Sequence, residues 1–431
     1  MPVLLSRADA DFEDRFAHLL SPERAASEDV GVAVAEIVQA VREDGIEAVA
    51  RLTRQFDRWD AAPETLALTP AEIEAEVAKV APEQRRALEL AAERIRAYHT
   101  RQLPEDAEWL DTSGATLGWR WGAVEAAGLY VPGGLASYPS SVLMNAIPAR
   151  VAGVERLAIC VPTPGGEVNP LVLLAAQLAG VDEIWRVGGA QAIAALAYGA
   201  DPIRAVDKIT GPGNSYVAEA KRQVFGRVGI DTIAGPSEVL VIADADNDPD
   251  WLALDLLAQA EHDESAQSIL ITDDRGMAEE VGRAVERRLQ SLPRTAIAGA
   301  SWAAHGALIV VEDLDEAAAL ANRIAPEHLE LCVAEPEALF KKIRHAGAVF
   351  LGRHTPEAVG DYVGGPNHVL PTSGAARFAS GLSVLDFMKR TTTARLSPEA
   401  LAAIGPAAET LSEAEGLQAH GLSVAARLAR A

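Results

Sequence analysis

The chain has 431 residues, 49% of them hydrophobic, with a formal net charge of −24 and only two cysteines. This length and apolar content predict roughly two to three globular units with substantial cores. So acidic a chain excludes a nucleic-acid-binding surface, which needs clustered Lys and Arg. No run approaches the about 18 apolar residues of a membrane span, and acidic residues from Asp9 onward interrupt the apolar amino terminus. We therefore expect a cytoplasmic protein.

The predicted elements change character along the chain. Residues 10–100 have helical periodicity with charged faces. From Ala126, short apolar strands alternate with turns and Ala-rich helices, and a second such series begins at Glu238. This alternation predicts an α/β fold of two Rossmann-like parallel-sheet domains. A helical N-terminal arm and a helical C-terminal tail from Ser397 flank them, and the turn at 234–237 is the predicted boundary between the sheets.

Two glycine-rich turns follow predicted strands, at 188–191 and 211–214. Backbone N–H groups at such helix starts can bind a pyrophosphate, and ligands of open α/β sheets lie at the carboxyl ends of strands. Neither turn completes a GxGxxG motif, and glycine often serves the geometry of a turn alone. The turns by themselves leave the cofactor open.

Metal-ligating residue types collect in the carboxyl half. Gln259 and His262 are spaced i, i+3 at the end of a predicted helix, which puts them on one face where they could share a cation. With Asp361 and His420 they form a donor set that suits Zn²⁺. No HExxH or paired CxxC motif anchors this set, so a solvated helix end explains the Gln/His pair equally well.

The adjacent pair Glu327 and His328 follows Ala325-Pro326 and precedes an apolar strand. Neighbouring residues on an extended chain point to opposite faces, so the two groups could handle different protons. An exposed glutamate beside a hydrogen-bonded histidine is the alternative. The cysteines, Cys160 and Cys332, both lie in apolar strand-like runs, which predicts buried thiols without a disulfide.

Five longer motifs resemble those of the histidinol dehydrogenase family, in order and over essentially the full length. They are GPGNSYVAEAK (211–221), GIDTIAGPSEVLVIAD (229–244), AQAEHD (258–263), APEHLEL (325–331) and GGPNHVLPTSG (364–374). The resemblance implies a Zn²⁺- and NAD-dependent four-electron oxidation of L-histidinol, through histidinaldehyde, to L-histidine, which is the last step of histidine biosynthesis.

The resemblance also implies a role for each matching position. Glu327 and His328 would be the acid/base pair. The ligands of one Zn²⁺ per subunit would be Gln259, His262, Asp361 and His420. The substrate would contact these ligands, His328 and also Ser237, His368 and Glu415. NAD would contact Tyr130, Gln191 and Asn214.

The resemblance further implies a homodimer in which the tail of each chain reaches its partner's site. The expected division is an arm (1–25), a discontinuous domain with the zinc and base residues (26–120 and 237–375), an NAD domain (121–236) and the tail (376–431). Two alternatives stay open: a related zinc- and NAD-dependent dehydrogenase acting on another small alcohol, and a non-catalytic two-lobed binder. A cysteine thiohemiacetal mechanism is disfavoured because both thiols lie in apolar strands.

Overall fold

A computed structural model describes residues 2–20, 28–132, 138–233 and 235–429. Residues 21–25 of the predicted arm, Ala234 at the predicted boundary and the last two residues of the tail lie outside these ranges. The strands are β1 Val3–Ser6, β2 Ala107–Leu110, β3 Thr116–Ala123, β4 Ala126–Tyr130, β5 Arg156–Cys160, β6 Glu183–Trp185, β7 Lys208–Thr210, β8 Gly229–Ile230, β9 Glu238–Ala243, β10 Gln267–Thr272, β11 Ala307–Val310, β12 His328–Cys332, β13 Ala348–Leu351 and β14 Met388–Arg395.

Helices surround these strands and make up most of the first hundred residues and the tail, as the sequence predicts. They are α1 Phe12–Leu19, α2 Glu28–Asp44, α3 Ile46–Asp57, α4 Pro70–Val77, α5 Pro82–Thr100, α6 Pro139–Ala152, α7 Pro170–Ala179, α8 Gly189–Tyr198, α9 Ser215–Val224, α10 Pro249–Ala260, α11 Arg275–Leu289, α12 Thr295–His305, α13 Leu314–Ile324, α14 Pro336–Phe340, α15 Glu357–Tyr362, α16 Pro398–Ala414 and α17 Gln418–Leu428. In the described part of the chain, no helix is long and apolar enough to cross a membrane.

Two parallel sheets confirm the predicted α/β class. The five-stranded sheet has the order β6-β5-β4-β7-β8, and the six-stranded sheet has the order β1-β11-β10-β9-β12-β13. Every strand pair in both sheets is parallel. Strands β9 and β10 are buried along their whole length because helices cover both faces, which is why they read as continuous apolar runs.

The helices of residues 28–100 pack differently from the predicted division. Side chains of α2 and α3 share a core with β4, α8 and α9 on one face of the five-stranded sheet. Side chains of α4 and α5 share a second core with α6 and α7 on the other face. The expected division groups this segment with 237–375, but its apolar faces complete the sheet predicted to bind NAD. Local periodicity identifies an apolar helix face and carries no information on which sheet covers it.

Two further features were not predicted. The arm begins with β1, which pairs with β11 and so extends the six-stranded sheet. A separate antiparallel sheet of order β14-β3-β2 joins residues 107–123 to the chain just before the tail. The tail is helical, as predicted, and its helices α16 and α17 pack against each other, with Gly405 directly beneath Val424 and Leu428.

One helix end positions the predicted acid/base pair. Helix α13 is capped by Asp313, whose Oδ1 accepts the Glu316 amide at 2.8 Å. It ends at Ala325 in the left-handed conformation, with φ of 53°. Pro326 cannot continue a helix, so the chain turns directly into β12. Glu327 is therefore held at the start of a central strand.

Candidate active site

Glu327 and His328 are both held by the backbone of one residue, Glu238. The Glu238 amide donates to Glu327 Oε2 at 2.9 Å, and His328 Nδ1 donates to the Glu238 carbonyl at 3.0 Å. The carboxylate and the ring lie 3.7 Å apart. The two side chains thus share one location rather than diverging to opposite faces, because Glu327 lies in the turn before β12, where strand alternation does not yet apply.

His328 presents a free basic nitrogen. Because Nδ1 donates to a carbonyl, Nε2 is the unprotonated nitrogen of the neutral ring. Nε2 is buried and has no hydrogen-bond partner among the described residues. Burial lowers the pKa of His328 to about 4, despite the opposing effect of the Asp361 carboxylate. The ring is therefore neutral at pH 7 and can accept a proton at Nε2.

Two carboxylates of α15 face this nitrogen. Glu357 and Asp361 are spaced i, i+4, so they lie on one face of the helix. Glu357 Oε1 is 3.8 Å from His328 Nε2. Ligand atoms of His328, Glu357 and Asp361 all lie within 4.8 Å of one another. Of the predicted zinc ligands, this cluster contains Asp361. Glu357 was missed by sequence reasoning, although its spacing from Asp361 was a usable signal.

Gln259 and His262 approach the same location from α10. Gln259 is 1% exposed, and its Oε1 has no hydrogen-bond partner in the described residues. An unpaired buried amide oxygen costs about 1–3 kcal/mol, so this atom suits an added cation. His262 follows the last turn of α10 and is exposed. It still lies close enough to His328 and His368 for its charge to lower their pKa values.

His368 and Ser237 border the same group. His368 Nδ1 donates to the Asp361 carbonyl at 3.0 Å, and Ser141 Oγ lies 3.4 Å from its Nε2. Burial lowers the pKa of His368, as it does for His328. Ser237 is half-buried and precedes Glu238, the residue that holds the acid/base pair. The structure thus brings together His262, Glu327, His328, Asp361 and His368. Gln259 lies on α10, which packs against α15, and Ser237 is the neighbour of Glu238 in the chain.

Two further carboxyl groups, those of Glu330 and Asp255, lie next to Glu357. Glu330 is fully buried two residues after His328, and its Oε1 accepts the Glu357 amide at 2.6 Å. Its side chain also hydrogen-bonds to Asp255 on α10. Desolvation raises the pKa of Glu330 well above its ordinary value, and that of Asp255 to about 6. The sequence gives no signal for Glu330 and Asp255, because an acid in an apolar strand or helix is an ordinary surface residue until the fold covers it.

Glu415 and His420 are not part of this group within one chain. Both are exposed, Glu415 at the end of α16 and His420 in α17. Their backbone amides bond to Leu411 and Leu417 of the same tail. Among the described residues, no hydrogen bond or ion pair joins their side chains to the predicted zinc ligands.

The predicted cofactor residues lie at the carboxyl edge of the five-stranded sheet. Tyr130 ends β4, and its hydroxyl accepts the Gly189 amide at 3.1 Å. Gln191 is 1% exposed in the first turn of α8, and neither side-chain amide atom has a partner among the described residues. Asn214 caps α9 through Val217 at 3.2 Å. Burial raises the pKa of Tyr130 to about 12, so its hydroxyl keeps its proton.

The turn at Gly211 requires glycine. Its φ is 116°, and a Cβ there would lie 2.0 Å from the Tyr130 carbonyl oxygen. The Gly211 amide donates to Asp231 at 2.8 Å, and Asp231 pairs with buried Lys221. Lys221 Nζ also donates to the Gly211 carbonyl at 3.1 Å. This ion pair fixes the turn that carries Asn214.

The cysteines are buried and unpaired, as predicted. Burial raises the pKa of both thiols far above the ordinary range. Because the thiolate is the reactive species, we expect no labelling of the native protein by a thiol reagent at mildly alkaline pH, and labelling of both thiols after denaturation. Rapid modification of Cys332 in the native protein would contradict this.

The chain matches known proteins over its full length. The family model for histidinol dehydrogenase matches residues 21–428. The histidinol dehydrogenase of Cereibacter sphaeroides is 68% identical over 430 residues, covering 100% of this chain and 99% of the relative. That of Rhodospirillum rubrum is 62% identical over 431 residues, with the same coverage. The crystal structure of histidinol dehydrogenase from Elizabethkingia anophelis aligns with a TM-score of 0.94 at 36% identity, covering 99% of this chain and 98% of that one. A match over the full length in sequence and in structure confirms the predicted family, and this chain belongs to the histidinol dehydrogenases.

Proposed function

We propose that this protein oxidises L-histidinol through histidinaldehyde to L-histidine, reducing two NAD per substrate, as the last step of histidine biosynthesis. The observation that carries the proposal is the state of His328. Its Nε2 is buried, neutral and without a partner in the described residues, and it faces the carboxylates of α15. Such a nitrogen is a general base ready for an alcohol proton.

The donor set at this location fits one Zn²⁺ per subunit. Gln259 supplies a buried amide oxygen without a partner, Asp361 a half-buried carboxylate and His262 an accessible imidazole. We assign these three as ligands, with His420 as the fourth. When bound, Zn²⁺ would hold the imidazole and amino nitrogens of histidinol and so fix the carbinol carbon beside the nicotinamide.

In the first oxidation, His328 takes the alcohol proton at Nε2 while the carbinol carbon gives a hydride to NAD. The hydrogen bond from Nδ1 to the Glu238 carbonyl keeps the ring oriented and stabilises the imidazolium that forms. In the second, Glu327 takes a proton from water, whose oxygen adds to the aldehyde carbon, while the His328 imidazolium returns its proton to the carbonyl oxygen and becomes neutral again. The resulting gem-diol gives its hydride to a second NAD, and His328 again takes the hydroxyl proton.

Glu327 can hold a proton as well as accept one. Burial raises its pKa well above the ordinary value; the hydrogen bond from the Glu238 amide opposes this shift, and the charges of the Glu238 and Asp361 carboxylates add to it. The Glu238 amide bonds only to Oε2, so Oε1 is the atom that exchanges the proton with water. A carboxyl with a raised pKa is closer to neutrality, where a general base works best.

The remaining positions complete the proposed site. Ser237, His368 and Glu415 contact the substrate, together with His328 and the zinc ligands. Tyr130, Gln191 and Asn214 contact NAD at the edge of the five-stranded sheet. Glu415 and His420 come from the tail of a second copy, because their exposed side chains are away from the site of their own chain. The protein then works as a cytoplasmic homodimer with exchanged tails. The zinc and base residues then belong to one domain, residues 237–375, and the NAD residues to the other, residues 121–236.

The test is the amount of NADH formed per L-histidinol consumed. We expect two NADH per substrate, because both hydrides leave the same carbon. Prior removal of metal with a chelator should abolish turnover, and added Zn²⁺ should restore it. A zinc-loaded protein that leaves histidinol unchanged but oxidises another small alcohol would show that histidinol is not the substrate. The proposed zinc- and NAD-dependent oxidation would still stand.

A further inference from the structure

The five-stranded sheet has the strand order of a dinucleotide-binding domain. Its strands β6, β5, β4, β7 and β8 correspond to the order 3-2-1-4-5. In that arrangement the dinucleotide lies across the carboxyl ends of the strands, and an acidic residue at the end of the second strand binds the 2′-hydroxyl of the adenosine ribose. The second strand here is β5, so the acidic residue is expected at the carboxyl end of β5.

The loop after β5 has no acid of its own at this level. It runs Val161-Pro-Thr-Pro-Gly-Gly before Glu167, which is exposed. The carboxylate found there comes from the distant helix α3. Asp57, the last residue of α3, accepts the Thr163 amide at its Oδ2 at 3.0 Å and is 8% exposed.

Asp57 is also close to the residues of the proposed NAD site. Its charge acts on Tyr130, the last residue of β4. Tyr130 pairs in register with Cys160, the last residue of β5. The carboxyl ends of β4 and β5 are thus side by side, and Asp57 lies at the carboxyl end of β5.

Polar atoms around this edge lack partners. Thr163 Oγ1 and both amide atoms of Gln191 are buried and make no hydrogen bond in the described part of the chain. Asp57 Oδ1 also makes no hydrogen bond there, since its one contact uses Oδ2. Buried polar groups are normally paired, so a group of such atoms at the carboxyl edge of the sheet indicates a polar ligand.

We propose that Asp57 is a specificity-determining residue that binds the adenosine ribose of the dinucleotide and rejects a 2′-phosphate. This inference rests on the proposed NAD site at Tyr130 and Gln191. The carboxylate accepts hydrogen bonds from the 2′- and 3′-hydroxyls, whereas a 2′-phosphate would place a second negative group against it. NAD is then accepted and NADP excluded.

The test variant is Asp57→Asn in the full chain, with Asp60→Asn as the matched control. The asparagine oxygen still accepts the Thr163 amide, so the loop after β5 is preserved while the charge is removed. Asp60 lies three residues on and is exposed. Loss of the carboxylate removes the negative group that would repel a 2′-phosphate.

Binding is measured by calorimetry with ADP-ribose and 2′,5′-ADP, and turnover with NAD and NADP. We expect Asp57→Asn to weaken ADP-ribose binding and raise the KM for NAD by about tenfold to a hundredfold, the range for hydrogen bonds to a charged group. Binding of 2′,5′-ADP and use of NADP should improve, kcat with saturating NAD should stay within about twofold, and Asp60→Asn should behave as the parent.

The outcomes separate this inference from the proposed activity. If Asp57→Asn keeps the parental preference for ADP-ribose over 2′,5′-ADP while the parent oxidises histidinol, the role of Asp57 is wrong and the activity stands. If histidinol is not oxidised but the nucleotide preference is lost in Asp57→Asn, the role of Asp57 stands alone. A parent that binds neither nucleotide overturns the inference.

Discussion

Mixing two inactive variants, His328→Gln and His420→Ala, is expected to restore activity. Each homodimer lacks either its base or a zinc ligand. In a mixed dimer with exchanged tails, the His420→Ala chain contributes an intact core and receives an intact tail from the His328→Gln chain. Half of the dimers are mixed and one of their two sites is complete, so activity should return to about a quarter of the parental value.

The structural reason is the separation of the tail from the core of its own chain. The side chains of Glu415 and His420 are exposed, whereas Asp361 clusters with His328 and the charge of His262 acts on it. The helices α16 and α17 pack on each other, so the tail is a unit that another subunit can receive. A chain truncated before Leu411 should for the same reason lose zinc and activity, with both parallel sheets still folded.

Two controls decide the interpretation. Mixing His328→Gln with Glu327→Gln should restore nothing, because both defects lie in the core and no mixed site is complete. The variants are co-refolded or co-expressed, so that dimers can exchange, and zinc content is measured alongside NADH formation. Full activity of His420→Ala alone, or no recovery in a verified mixed dimer, would refute the shared site.

Replacing His328 with glutamine should lower kcat by about 10²–10⁴-fold, the usual contribution of a general base. Because burial lowers the pKa of this histidine to about 4, the acid limb of the parental kcat–pH profile should lie well below pH 6. The base form is already present at neutral pH, so activity should not fall as pH passes through 6.5. A limb near pH 6.5 that disappears in the variant would contradict the buried neutral ring.

Stability gives a second, independent measure of the same group. The folded pKa of His328 lies below the ordinary value of 6.5, so its neutral form is favoured in the folded state. The associated stability is complete above pH 6.5 and falls as pH decreases toward 4, by at most about 3 kcal/mol. In His328→Gln this part of the pH dependence of the unfolding free energy should be absent. His354 is exposed, so His354→Gln is the matched control, and this variant should keep the parental pH dependence of the unfolding free energy.

The fold class could be predicted from the sequence because parallel strands such as β9 and β10 are buried apolar runs between turns. The antiparallel sheet of β2, β3 and β14 could not, since β14 is almost wholly exposed and polar and pairs with β3 across more than 260 residues, as between Thr116 and Arg395. Which sheet the helices α2–α5 cover is likewise a property of tertiary packing. A local pattern specifies an apolar face and not its partner.

For the candidate site, long motifs identified the residues that the family uses, whereas spacing alone left each of them ambiguous. Glu357, Glu330 and Asp255 were missed because each is an ordinary acid until the fold sets Glu357 beside His328 and Glu330 against Glu357 and Asp255. Asp57 was missed because its place at the end of β5 comes from a helix some hundred residues earlier in the chain, a relation that only the folded structure contains.

The segment after the proposed substrate contact His368 gives the site a further property. Val369, Leu382, Val384 and Phe387 are buried in the core that covers one face of the five-stranded sheet. His368 is therefore adjacent to Val369, whose side chain is buried in the core on the five-stranded sheet. The chain thus connects the two sheets at the site. Separating them would expose these side chains, at a cost of about 1.5–3 kcal/mol each. We therefore expect the exchange of NADH for NAD between the two oxidations to proceed without separation of the two sheets.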